Sequence, residues 1–189
     1  MMDNFKVCFS NNSQGDPSDR FVKWNNNNLS GIILNVDGSC LGSPVSAGYG
    51  GVLRNDAGFY LSGFSGYIQG SSDILHAELY AIYQGLLLVK NMNIIDLVCY
   101  SDSLHCINLI QGPSMKFHVY AVLIQDIKEL IAQTNVTVYH TLREGNQCAD
   151  FMAKLGASSN IELLLHSSPP NDLMHLITTD AAGSFFSRE

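Results

Sequence analysis

The chain has 189 residues, 46% of them hydrophobic, which suffices for one compact core and is short for two. Its formal net charge of -7 argues against a broadly basic nucleic-acid-binding coat, although divalent cations at an acidic site would offset the repulsion where a phosphate sits. The amino terminus has no apolar stretch of signal-peptide length and no segment approaches the roughly 20 apolar residues of a membrane span, so a soluble, intracellular protein is expected, with cytoplasm and nucleus not distinguished.

Residues 1–30 are rich in Asn, Ser, Asp and Gly, include the run Asn25 to Asn28, and read as a loosely ordered lead-in with Phe21, Val22 and Trp24 as its anchors. From Gly31 the texture changes. Ile32 to Asp37 reads as a buried strand closed by a turn at Gly38-Ser39, and Tyr49 to Leu53 and Tyr60 to Phe64 read as two more, joined through Asn55-Asp56-Ala57-Gly58. Over residues 72–90 the period becomes helical: Leu75, Leu79, Ile82, Leu86 and Val89 form a stripe behind a Ser-Ser-Asp start that suits an N-cap. Ile94 to Tyr100 follows as a strand, then helices over Leu104 to Ile110 and Val119 to Ile131. Val136, Val138 and His140 alternate in a fifth strand, and Gln147 to Leu155 returns to helix. This order predicts an α/β fold: a five-stranded mixed sheet, its first three strands antiparallel, with helices on both faces.

Four acids stand out on that scaffold: Asp37, Glu78, Asp102 and Asp150. Asp37 ends the first strand and Asp102 follows the fourth, so if these strands are parallel neighbours both project beyond the carboxyl ends, where open α/β sheets bind ligands. Glu78 lies inside the apolar stripe with no Lys or Arg within a helical turn, a costly place for a carboxylate unless something pairs it. Asp150 lies in the first turn of the last helix beside Ala149 and Ala153. Taken singly, each has an ordinary reading: turn or cap residues for Asp37 and Asp102, a stripe-edge acid for Glu78, a dipole-favoured acid for Asp150. Gathered without basic partners, they call for metal ions. No histidine pair has metal-ligand spacing, and Cys8, Cys40, Cys99, Cys106 and Cys148 form no Cys-x-x-Cys pair, which suits reduced, buried thiols rather than a zinc site.

The segments Leu34-Asn35-Val36-Asp37-Gly38-Ser39, Ala77-Glu78-Leu79-Tyr80-Ala81, Ser101-Asp102-Ser103 and Arg143-Glu144-Gly145-Asn146-Gln147-Cys148-Ala149-Asp150 together resemble a type 1 ribonuclease H domain of the kind found in plant retrotransposon-derived proteins. The resemblance covers Gly31 to Ala157, and Pro169-Pro170 through Asp180 and Gly183 look like the tail that follows this domain in plant relatives. It implies three regions: the lead-in at 1–30, a ribonuclease H-like domain at 31–157, and a tail with a short helix at 158–189. It also implies two Mg²⁺ ions, with Mn²⁺ as a substitute, and hydrolysis of the RNA strand of RNA/DNA hybrids. Asp37 would bridge both metals, Asp150 would complete the one that activates water, and Glu78 and Asp102 would hold the other near the leaving oxygen. By the same resemblance Gly38, Ser39 and Ser103 are substrate-binding candidates that read the RNA 2′-hydroxyl.

Two departures weaken the expected grip on a hybrid. Asp73-Ile74-Leu75-His76 occupies the stretch where many family members carry Asn, and no long basic insertion separates the two middle helices. His140 precedes Asp150 at the spacing of an auxiliary histidine in some bacterial relatives, yet it also fits a strand position. An alternative follows: a catalytically weak or inactive nucleic-acid-binding module derived from a retrotransposon. No heptad seam points to an obligate protein partner, and a monomer is expected.

Overall fold

The computed structural model describes residues 21–22, 24–25, 29–113, 116–182 and 186–187. Much of the expected lead-in, together with Cys8 and Gly183, lies outside the described residues. The strands are β1 (Phe21–Val22), β2 (Ile32–Leu41), β3 (Ser46–Asn55), β4 (Tyr60–Ile68), β5 (Val98–Ser101), β6 (Thr137–His140), β7 (Leu164–His166) and β8 (Phe186–Ser187). The helices are α1 (Ile74–Asn91), α2 (Leu104–Gln111), α3 (Ala121–Thr134), α4 (Gln147–Ala157) and α5 (Leu173–Ala181), with a 3-10 turn at Arg143–Gly145.

The run Ile-Ile-Leu-Asn-Val makes β2 a strand buried on both faces, and the sheet is built around it in the order β6-β5-β2-β3-β4-β7. β2, β3, β4 and β7 pair antiparallel, whereas β2, β5 and β6 are parallel. The sheet thus has six strands where five were expected: β7 pairs residues Leu164 to His166 with the outer edge of β4. Three residues are too short to show an alternating pattern, so the strand leaves no periodic signal. β1 and β8 form a separate two-stranded pair.

Alternation along the strands sends side chains to two different layers. Leu34, Val36 and Phe64 pack with Leu79, Ile82 and Leu86 of α1, and α2 and α3 complete that layer through Ile107, Ile124 and Ile127. On the opposite face Val52 packs with Cys148, Met152, Leu173 and Ile177 of α4 and α5. Ile33 and Tyr100 meet Trp24 from the lead-in. Of the cysteines described, Cys99, Cys106 and Cys148 are buried and Cys40 is partly exposed, all as free thiols. Among the described residues no helix is long and apolar enough to cross a membrane.

Several element boundaries differ from expectation. Gly38-Ser39 is not a turn, because β2 continues to Leu41 and keeps pairing with β3 throughout. The strand expected from Ile94 begins only at Val98: Asn93 and Asp96 adopt left-handed backbone (φ 55 and 58), and the Ile94 N–H folds back onto the Val89 carbonyl. Asn and Asp tolerate this conformation better than other side chains, so the apolar residues between them do not extend. α3 starts two residues later and ends one turn later than expected, stopping at Asn135, again left-handed at φ 52.

Candidate active site

β2 outlasts its parallel neighbour. The last β2–β5 pair is Val36 with Ser101, so Asp37 is the next residue along and lies beside the turn that carries Asp102. Asp37 is therefore inside β2, opposite Gly50, rather than at its end. Two glycines let helices close onto this point. A Cβ on Gly38 would lie 2.4 Å from the backbone nitrogen of Glu78, and one on Gly50 would lie 2.4 Å from the Met152 carbonyl carbon. Their bare backbones allow α1 and α4 to approach the sheet where a larger residue would hold them off. The Gly38 N–H donates to Glu78 Oε2 at 3.3 Å, which turns that carboxylate toward β2. Asp73 caps α1 by accepting from Leu75 N at 2.9 Å, as the Ser-Ser-Asp start predicts.

The outcome is convergence. Ligand oxygens of Asp37, Glu78 and Asp102 all lie within 4.8 Å of one another. Asp37 and Glu78 are 5% and 8% exposed, and the crowding is expensive for charge. Burial, followed by the neighbouring Glu78, Asp102 and Asp150, raises Asp37 to about 10. Burial and then Asp102 raise Glu78 to about 8, against the opposing pull of the Gly38 N–H and Arg143. Asp102 Oδ1 is buried with no hydrogen-bond partner among the described residues, and the adjoining Asp37 carboxyl can satisfy it only by carrying a proton. An oxygen-only donor set, mutual repulsion and an orphaned buried oxygen together fit a hard divalent cation.

Asp150 lines the same cleft of about 640 Å³ but is not one of the three clustered acids. Its Oδ2 is held by Lys154 Nζ at 2.6 Å, one helical turn on. Asp102 likewise has a cationic neighbour, Arg143, whose Nε lies 3.5 Å from Oδ2. The expectation of carboxylates without basic partners is thus corrected: two cations share the cleft. The Asp150 to Lys154 spacing is a readable i, i+4 signal. Arg143 and Asp102 meet only through the fold. Gly38 and Ser39 line the cleft. Ser103 instead caps α2, its Oγ accepting from Cys106 N at 3.4 Å. His140 ends β6, with Nε2 3.2 Å from the Asp102 carbonyl oxygen, so it neighbours the backbone of a site acid rather than a carboxylate.

Comparison with known proteins places the chain in a family. Residues 35–156 match the family model described as reverse transcriptase-like. A protein of Arabidopsis thaliana named for ribonuclease H is 26% identical over 167 residues, covering 88% of this chain and 27% of that protein, so the chain spans about a quarter of the length of this curated relative. The crystal structure of RNase H1 from the archaeon Halobacterium salinarum superposes with a TM-score of 0.59 at 20% identity, covering 66% of this chain and 96% of that one. LC11-RNase H1, isolated from compost and crystallised with an RNA/DNA hybrid, has a TM-score of 0.59 at 24% identity and covers 67% of this chain and 96% of its own. At these identities the structural likeness establishes the fold.

Proposed function

The chain belongs to the reverse transcriptase-like family, and from that premise we propose that it is a type 1 ribonuclease H-like domain that hydrolyses the RNA strand of RNA/DNA hybrids with divalent metal. The observation that carries this reading is the packing of three carboxylates within 4.8 Å, at a cost in desolvation that no fold requires. Asp37, Glu78 and Asp102 would hold metal through their oxygens, and Asp150 would join by releasing Lys154. Two Mg²⁺ ions, or Mn²⁺ in their place, would stabilise the attacking and leaving oxygens of an in-line displacement.

The remaining roles fall to the chain itself. Asp37 and Glu78 must give up protons before they ligate, because burial holds them protonated in the free site. Arg143 and Lys154, once freed from Asp102 and Asp150, supply positive charge for a substrate phosphate in an otherwise acidic cleft. Gly38 and Ser39 present small polar surface to a 2′-hydroxyl. Ser103 and His140 are auxiliary candidates for substrate contact and proton movement at the Asp102 end. Residues 31–157 form the unit that carries the chemistry.

A second reading has its own support. Lys154 already satisfies Asp150 at 2.6 Å, and the formal charge of -7 opposes nucleic acid, as in a retroelement-derived module that binds a hybrid without cutting it. Cleavage separates the two. Labelled RNA/DNA hybrid, duplex RNA and duplex DNA are incubated with the protein and Mg²⁺ or Mn²⁺, beside the Asp37→Asn variant. Cutting of the hybrid alone, lost in the variant, is the expected result. Hybrid binding without cutting selects the binding module, and equal cutting of duplex DNA selects a broader nuclease.

A further inference from the structure

We propose that Asn146 is a positioning residue that fixes the strand bearing Asp37 against the helix bearing Asp150, and that α5 contributes to this hold through Asp180 and Arg54. The inference rests on the metal-site reading above and deepens it.

Asn146 occupies the N-cap position of α4, where an asparagine oxygen ordinarily accepts from its own helix. It makes no such bond. Its Nδ2 instead donates to the Val36 carbonyl at 3.0 Å, and its Oδ1 accepts from Asn35 Nδ2 at 3.1 Å. Meanwhile its main-chain carbonyl accepts the Asp150 N–H at 3.1 Å. A single residue, 1% exposed, therefore touches the neighbour of Asp37 on one side and the amide of Asp150 on the other. Capping α4 is sacrificed to tie the helix to β2.

The tie is itself held from behind. Arg54 Nη2 donates to Asn35 Oδ1 at 3.1 Å, which directs the Asn35 amide nitrogen toward Asn146. Arg54 is fully buried, pairs with Asp180 of α5 at 2.7 Å, and lies 4.1 Å from the centre of the Trp24 ring. A buried guanidinium is costly, and apolar residues would fill the joint between sheet and helices more cheaply. This polar chain starts at α5, outside the matched residues 35–156, and ends beside the clustered acids. Partners of ligating groups commonly set metal affinity, and their loss costs about 10- to 100-fold.

The test uses the full chain and Mn²⁺ alone, with binding read by calorimetry and electron paramagnetic resonance. In Asn146→Ala we expect cooperative thermal unfolding to persist, Mn²⁺ affinity to fall by about tenfold or more, and KM for a hybrid to stay within about twofold. Leu86→Ala, a cavity in the α1 layer, serves as the control for mere destabilisation and should leave Mn²⁺ affinity unchanged. If Asn146→Ala does not fold, Asp180→Asn keeps a hydrogen bond to Arg54, and a drop of about threefold in Mn²⁺ affinity is expected. Parent-like Mn²⁺ affinity in a folded variant overturns the proposal, as does an equal loss in Leu86→Ala or a parent protein that binds no Mn²⁺. Binding that depends on Asn146 in a chain that cuts nothing overturns the nuclease reading and upholds this one.

Discussion

The two faces of the sheet are built on different principles. Under α1, α2 and α3 the packing is apolar up to Glu78, with Leu34, Val36, Leu79, Ile82 and Leu86 all fully buried. Under α4 and α5 a smaller apolar cluster is interrupted by Arg54, Asn35, Asn146 and Asp180, which are buried and bonded to one another. Apolar packing tolerates volume-conserving change, whereas a polar network has one satisfied arrangement and fails when a member is lost. The site is assembled across this divide. The tolerant face delivers Glu78, and the specified face delivers Asp150.

The largest expected effect is at the seam. Asp37→Asn should reduce hybrid cleavage by about a thousandfold or more, since on the proposed reading it removes a central metal ligand worth several kcal/mol in the transition state; single-turnover kinetics would measure it. Stability comes next and tests the contrast between the faces directly. Asp180→Ala should cost about 3–5 kcal/mol in urea denaturation by leaving Arg54 buried and uncompensated, and the paired change Arg54→Met with Asp180→Leu should recover most of it. Leu86→Ala should cost about 2–5 kcal/mol with no partner able to rescue it. Failure of the paired change to recover stability would erase the distinction between the faces.

Smaller effects concern charge at the site. In metal-free protein, Asp37 and Glu78 are raised to about 10 and about 8 from 3.8 and 4.5. Their protonated forms favour folding, so that contribution is complete below the unfolded values and is lost as pH rises through 8 toward 10. Asp37→Asn stays neutral and should therefore melt above the parent at pH 9 in chelator, with the gap closing toward pH 4. The smallest change is expected for Lys154→Met. Its partner Asp150 and Lys154 are 43% and 52% exposed, and an exposed pair of this kind contributes about 0–1 kcal/mol.

The elements with strong local patterns were legible from residues alone. The Leu75 to Val89 stripe marks α1, and the placement of Glu78 within it marks an acid with a reason to be buried. What remained hidden depends on contacts distant in the chain. Asn35 and Asn146 are 111 residues apart, and nothing local tells that an N-cap asparagine bonds to a strand. Arg143 meets Asp102 for the same reason. Gly38 reads as a turn by composition, yet it serves close approach of α1 in mid-strand, a demand that exists only once the helix has packed.

The protein contains one tryptophan, and it stacks on Arg54 at the back of the polar chain. That indole is consequently an optical gauge of one face alone. Excited selectively, it reports detachment of the carboxyl-terminal helix, whereas circular dichroism averages over every helix in the molecule. Non-coincident transitions by the two methods would reveal that this half of the domain loosens on its own.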